Sequence, residues 1–229
     1  MTPRMIALAA LAAASGSGAQ AQGFSGAEIS AETLAFSDDS DFGQTTYNGS
    51  LEFNVFDGFS VAADLNYYGF RGFGGNSTGA TLHGFYSLGP DTAVGLFYGQ
   101  DWTDTDTLDH YGLEGRARFG EAGIQSFVGK VDGPVNDATM LGVSGSYDIG
   151  NVFTATADFG VVDADSGSTT RASIGGEMTL FNGPQVFAEL GQISSDTSDE
   201  AFISLGARIA IGPQGGTTFD SRGLFEILN

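Results

Sequence analysis

The chain has 229 residues, with 28 Asp and Glu against 8 Lys and Arg for a formal net charge of −20, 12% aromatic residues and no cysteine. The acidic excess excludes nucleic acid and anionic headgroup surfaces as general partners, and the missing cysteines exclude a disulfide framework. Stability must then come from a large core or from a closed ladder of backbone hydrogen bonds, and the scarcity of Lys, Glu and Gln beside abundant Phe and Tyr points to an all-β chain.

The first segment carries Arg4, an apolar run from Met5 to Ala14 and the small-residue stretch Ala19-Gln20-Ala21. That order is the grammar of a secretory leader cleaved near Ala21. The run is about ten residues, half of what a membrane helix needs. Residues 1–21 are therefore expected to be a signal peptide, and any membrane role of the mature chain falls to strands.

From Gly23 to Ile211 the sequence repeats alternating segments of about ten residues separated by breaks of two kinds. Asp57-Gly58, Gly89-Pro90-Asp91, Gly120 to Gly123, Gly150-Asn151 and Asn182-Gly183-Pro184 have the chemistry of tight turns. Ser37 to Gly43, Arg71 to Thr78, Asp101 to Asp109, Asp132 to Ala138, Asp163 to Thr169 and Ser194 to Glu200 are longer, polar and acidic. The two kinds take turns along the chain. This predicts a closed antiparallel transmembrane β-barrel of about twelve strands over residues 22–211, with short periplasmic turns, longer acidic extracellular loops and both termini in the periplasm.

Within segments the alternation keeps one sense. Tyr47, Gly49, Leu51, Phe53 and Val55 interleave with Thr46, Asn48, Ser50, Glu52 and Asn54, and Ile203, Leu205, Ala207, Ile209 and Ile211 interleave with Ser204, Gly206 and Arg208. Over Ile124 to Val131, Phe127 and Val128 fall on opposite faces and leave the register open. On the apolar face Phe59, Tyr86, Phe119, Tyr147 and Phe153 sit beside short turns, and Tyr47, Tyr67, Tyr98 and Tyr111 toward the loops. Rings at both ends of an apolar band are the two girdles of a membrane barrel. Many other apolar-face positions are Ala or Gly, too small to form a soluble core but tolerable against lipid.

The leader, the alternating hairpins and the phrase Leu141-Gly-Val-Ser-Gly-Ser-Tyr-Asp-Ile-Gly150 resemble the Gram-negative outer-membrane porin superfamily, particularly alphaproteobacterial porin-like proteins. The resemblance covers most of the mature chain and is one of pattern. It implies a bacterial outer-membrane location and passive diffusion of small hydrophilic solutes or ions. The chain departs from general diffusion porins, which are larger and carry a long constriction loop. Porins also usually end their last strand on an aromatic residue used in assembly. Here a tail of residues 212–229 follows Ile211, and Phe225 is the candidate to stand in. The tail is amphipathic enough to cover the periplasmic mouth or enter the lumen.

Pore chemistry is expected on the polar face, where Arg116, Arg118, Lys130 and Arg208 oppose Glu28, Glu32, Glu52, Asp64, Glu114, Glu177 and Glu189. The first three strands are acidic and the middle ones basic, which would set a field across the lumen. Simple pairing, Glu114 with Arg116 or Arg208 with Glu28 or Glu32, is the competing expectation for each residue. Polar-face rings such as Phe56, Tyr68, Phe85, Phe97, Phe187 and Phe202 would narrow the channel.

The acidic excess implies cation preference. No cofactor is expected. The loop acids Asp101, Asp104, Asp106, Asp109, Asp163 and Asp165 offer oxygen ligands for weakly bound calcium or magnesium, but no complete metal loop occurs. Two rival readings remain: a closed surface barrel that binds a partner through its loops, and an outer-membrane barrel enzyme, for which His83, with Ser87 nearby, and His110 are the available bases. No nucleophile motif surrounds either, so a non-enzyme is expected. The oligomeric state is open.

Overall fold

The computed structural model describes residues 23–39, 41–72, 74–133, 137–181 and 183–227; the expected leader at 1–21 and the last two tail residues lie outside them, as does Asn182 of one expected turn. Twelve strands follow one another as β1 (Phe24–Phe36), β2 (Gly43–Phe56), β3 (Phe59–Arg71), β4 (Asn76–Gly89), β5 (Thr92–Trp102), β6 (Thr107–Phe119), β7 (Ala122–Asp132), β8 (Ala138–Ile149), β9 (Phe153–Ala164), β10 (Gly167–Thr179), β11 (Gln185–Ser195) and β12 (Asp199–Ile211). Each pairs antiparallel with its chain neighbours, and β1 pairs with β12 through Ile29 opposite Ile209 and Ser30 opposite Arg208. The barrel is closed. Closure leaves no strand edge unpaired, which is how a chain without disulfides, and with many small outward residues, keeps its backbone groups satisfied.

Alternation sets the two walls. Leu82, Leu96, Leu113, Ile174, Leu190 and Leu205 are each at least 57% exposed on the outside. Tyr47, Tyr67, Tyr98 and Tyr111 lie outward toward one rim, and Tyr86, Phe119, Tyr147 and Phe153 toward the other. Between Tyr residues the rows are continuous, since Tyr47 pairs with Tyr67 and Tyr98 with Tyr111. The side chains turned inward include the polar Ser50, Asp64, Thr81 and Ser204, all buried.

Two details differ from the pattern read in the sequence. The ladders run further into the acidic segments: Ala164 pairs with Gly167, so only residues 165–166 connect β9 and β10. Phe56 is not lumenal. A register shift between Asn54 and Phe56 turns it outward, where it is 58% exposed and stacks on Phe59 at 4.8 Å. A bulge of this kind redirects a side chain that strict alternation would send inside.

β7 settles the face that Phe127 and Val128 left open. Phe127 lies across Gly142 of β8, its cross-strand partner, and Val131 is buried with Phe97 and Met140 inside the barrel. Residues 125, 127, 129 and 131 therefore point inward. Val128 is 45% exposed on the outside.

After Ile211 the chain turns over the short-turn rim and runs into the lumen, ending in a single helical turn, α1 (Leu224–Ile227). The inner surface thereby acquires two hydrophobic clusters. One joins Phe219 to Ala62, Phe85 and Ala93; the other joins Leu224 and Ile227 to Phe97, Val131, Met140 and Val162. Burying a large side chain stabilises by about 1.5–3 kcal/mol, so Phe219, Leu224 and Ile227 together make docking of the tail favourable.

Candidate functional site: a half-filled lumen

The lumen divides lengthwise. Against β2 to β7, and toward the loop rim against β8 and β9 as well, it is filled by the tail, whose polar groups are matched to inward residues. Thr218 donates from N and Oγ1 to the two carboxylate oxygens of Glu52 at 2.6 and 3.1 Å, while Arg116 Nη1 donates to Thr218 O at 2.8 Å. Further up, the Ser221 hydroxyl and the Asn66 amide exchange hydrogen bonds at 2.7 and 2.9 Å. Thr81 Oγ1 donates to Arg222 O at 3.0 Å, and Leu224 N donates to Asp101 Oδ2 at 2.9 Å. Phe225 packs between Tyr68 and Phe70 near the loop rim and does not terminate a strand, since β12 ends at Ile211. Its surroundings are those of a packed plug residue.

At mid-height sits a buried charge cluster. His83 Nε2 lies 2.7 Å from Asp64 Oδ2 and its Nδ1 lies 2.7 Å from Glu114 Oε1, with Phe219 stacked parallel over the ring at 6.4 Å. Glu114 Oε2 in turn faces Arg222 Nε at 3.3 Å. All four charged or titratable groups are at most 6% exposed. Burial of this kind is tolerable only because each charge has an opposite partner. A histidine engaged at both nitrogens by carboxylates has no nitrogen directed at Ser87 or at any other hydroxyl. His110 is similarly occupied, with Nε2 3.0 Å from Thr81 Oγ1 and Nδ1 3.4 Å from Asp101 Oδ2.

The expected Glu114–Arg116 pair is absent. Its cause is the tail: Arg222 and His83 take both oxygens of Glu114, and Arg116 is drawn to the Thr218 carbonyl. Sequence reading could not see this, because the partners lie about a hundred residues apart.

The other half is open. A cavity of about 520 Å³ runs from Arg118 and Asp148 near the short-turn rim to Leu34 and Gln44 near the loop rim. Glu32, Arg116, Arg118, Glu177, Glu189 and Arg208 line it, whereas Glu52, Asp64 and Glu114 face inward but are buried behind the tail. Arg208 bridges Glu177 and Glu28, the latter at 3.7 Å, and also donates to Gln185 at 2.9 Å. Arg171 pairs with Glu189 at 3.0 Å with its guanidinium over the Phe202 ring. Arg118 pairs with Asp148. Phe187 also lines this side, but it lies flat across Gly206, where any Cβ would come within 2.2 Å of the ring, and so takes little of the lumen.

Lys130 does not belong to the site. It neighbours Tyr111 and Thr139 on the outer wall near the loop rim and is exposed, as the inward setting of Phe127 and Val131 requires. The expected division into an acidic and a basic wall also fails in simple form. Glu28 and Glu32 do face Arg116 and Arg118 across the cavity, but Arg171 and Arg208 stand among the acids of β10 to β12. Besides the tail's Asp220, Arg222 and Glu226, three charged lining residues lie outside the expected pore set, Asp148, Asp158 and Arg171. Their alternation with Ala155, Ala157 and Phe159, or with Ala172 and Ile174, carried the signal. In the tail, Glu226 accepts from Asn48 Nδ2 at 3.0 Å, and burial pushes its carboxyl up to about 7 despite the Gly223 N–H and Arg222 nearby. Among the described residues no cluster of three or more His, Asp or Glu has the arrangement of a metal site.

No family model matches the chain, and no curated protein does. Solved structures do. The KdgM porin aligns at a TM-score of 0.64 with 11% identity, over 80% of this chain and 98% of that one. The NanC porin aligns at 0.63 with 8% identity, again over 80% and 98%. The KdgM porin in complex with disordered oligogalacturonate aligns at 0.62 with 10% identity over the same shares. The chain has the fold of outer-membrane porins. At such identities the likeness is one of architecture, and the residues lining this lumen must be read from this chain.

Proposed function

We propose that the protein is a porin-like channel of a Gram-negative outer membrane, delivered there by the leader at residues 1–21, that passes small hydrophilic solutes or ions with a preference for cations. The observation that carries the reading is the charged cavity that reaches both rims beside the tail, inside a barrel whose outer wall is apolar between two aromatic girdles. A binding protein or enzyme would not need a cavity lined from near one rim to near the other.

The lining supports the proposed cation preference. Glu28, Glu32, Asp148, Asp158, Glu177, Glu189 and Asp220 make seven carboxylates, with the partly protonated Glu226 an eighth acid, against five arginines at 116, 118, 171, 208 and 222. Among the described residues Glu32, Asp158, Asp220 and Glu226 are in no ion pair. A water-filled passage with that surplus concentrates cations and repels anions. Oligogalacturonate, bound by one structural neighbour, is a polyanion, and this lumen has the wrong sign for it. The solutes that fit are small, neutral or cationic, and the acidic loop rim favours the same charge. Calcium or magnesium would be held there only loosely, as counterions.

The second reading, a barrel closed by its tail, is favoured by the filled half of the lumen. Planar-bilayer recording of the mature chain under a potassium chloride gradient separates the two. Stepwise conductance with a reversal potential on the cation side supports the channel, whereas insertion without conductance steps contradicts it.

A further inference from the structure

Arg222 is held by parts that together recognise a guanidinium group. Its Nε faces Glu114 Oε2 at 3.3 Å, one terminal nitrogen donates to Gln125 Oε1, and its Cζ lies 4.7 Å over the Phe127 ring. A carboxylate, a carboxamide oxygen and an aromatic face supply charge, a directed acceptor and a π-surface, the three features that a planar cation with a fork of donors exploits. These parts belong to the barrel wall; two of them are oriented within it, while the Gln125 amide is held by Asp220 of the tail. Glu114 is held by His83, and Phe127 lies against Gly142. Only the occupant comes from the tail, and Gln125, Phe127 and Arg222 all border the open cavity.

The segment that brings Arg222 is joined to the barrel by a glycine turn. It leaves β12 through Gly212, Gly215 and Gly216 at φ of 102°, 71° and 129°, conformations in which glycine is at ease and other residues are strained. Beyond this turn it adds no strand to the barrel, and its contacts to the wall are hydrogen bonds that involve side chains, ion pairs and the four apolar anchors Phe219, Leu224, Phe225 and Ile227. The ladder from β1 to β12 closes without it.

We propose that the C-terminal segment is a hinged plug whose Arg222 occupies a guanidinium-binding site made by Glu114, Gln125 and Phe127, and that solutes bearing a free guanidinium group compete for this site and open the lumen. The proposal rests on the channel reading and narrows it to a solute class. Competition against a tethered ligand faces an effective concentration on the order of millimolar, so free solute must reach that range to act.

Chemical rescue tests it with opposite signs in two proteins. The full mature chain is recorded in planar bilayers with methylguanidinium, against tetramethylammonium at equal ionic strength. In the wild type, methylguanidinium raises conductance about threefold over the tetramethylammonium control as the plug leaves. Arg222→Ala starts at the raised conductance, and methylguanidinium lowers it by refilling the vacated site. A third protein, carrying Asn66→Cys and Ser221→Cys, holds the plug by a disulfide across an existing contact. It stays at low conductance with methylguanidinium until reduced. Should Arg222→Ala and the reduced cysteine pair conduct like the wild type, with methylguanidinium acting no differently from tetramethylammonium, the site and the plug are refuted while the channel stands. Absence of conductance in all three, reduced and oxidised, refutes the channel itself.

Discussion

The two halves of the lumen are made by the same alternation of inward and outward residues, yet they differ in what a charge is worth. On the wall from β2 to β7 the tail expels water, so Asp64, His83, Glu114 and Arg222 form a buried set in which each member depends on the others. On the wall from β8 through β12 to β1, pairs such as Arg208 with Glu28 and Glu177 face a wet cavity and keep 21–24% of their side-chain surface. Sequence pattern places a charge inside the barrel. Whether it then bears structure or faces a passage is decided by what else is packed there.

Removing one charge from each half should expose that difference most sharply. Glu114→Ala leaves Arg222 without a carboxylate and His83 with Asp64 alone at mid-lumen, and the loss of a partner in a buried set is expected to cost about 3–5 kcal/mol. Thermal unfolding in detergent should fall markedly, and trypsin should cut after Arg222 in the otherwise folded barrel. An unchanged melting temperature with Arg222 still protected would mean the filled half is not a coupled unit.

A smaller effect is expected at the root of the tail. Gly26 lies so close to the Gly216 carbonyl that an added Cβ would stand 1.7 Å from it, with backbone on both sides and no flexible side chain to yield. Gly26→Ala should therefore displace the turn, weakening docking by about 1–3 kcal/mol. Hydrogen exchange at Leu224 to Ile227 should quicken while the strand amides keep their protection. Equal exchange in both proteins would show that the turn does not set the tail's position.

The tip of the tail should respond to pH. Burial raises the Glu226 carboxyl from 4.5 to about 7, so the docked state binds the proton more tightly than the released one. Docking is then favoured most below about pH 5 and weakens as pH rises through 7. Protection at α1, taken against each amide's intrinsic exchange rate at the same pH, should fall between pH 6 and 8, and Glu226→Gln should remove that fall. The reverse slope would place Glu226 outside the docked plug.

The smallest change in stability belongs to the open half. Arg208→Gln removes a partly hydrated cation and should alter unfolding by no more than about 1 kcal/mol, since water screens the remaining acids. The reversal potential should nevertheless move further to the cation side, because Glu28 and Glu177 lose their counter-charge. A large stability loss with unaltered selectivity would make this half structural as well.

Much of this architecture was legible in the chain, because a two-residue period with tight turns leaves few alternatives to a closed ladder. The inward setting of Arg116, Arg118, Arg208, Glu32, Glu177 and Glu189 followed from the same period. Lys130 did not, since Phe127 and Val128 are both apolar and only the packing of Phe127 across Gly142 separates their faces. Phe56 escaped through a bulge, a device that alternation does not announce. The division of the lumen was out of reach altogether. That the tail has large apolar residues is visible in its composition, but the fit of Phe219 against Phe85, or of Arg222 against Glu114, joins positions far apart in the chain and exists only once the barrel has closed.

The membrane setting on which the rest depends can be examined at two adjacent residues. Leu190 points outward and is 60% exposed, while Glu189 faces the cavity. The chain has no native cysteine to interfere. Single cysteines at these two positions, in protein reconstituted into lipid vesicles, should part company. The one at 189 should react with a membrane-impermeant maleimide, and a fluorophore placed at 190 should be quenched by a lipid-borne spin label and not by a water-soluble quencher. Reaction of both cysteines with the impermeant reagent, without lipid quenching at 190, would contradict a barrel with a greasy outside and a wet inside.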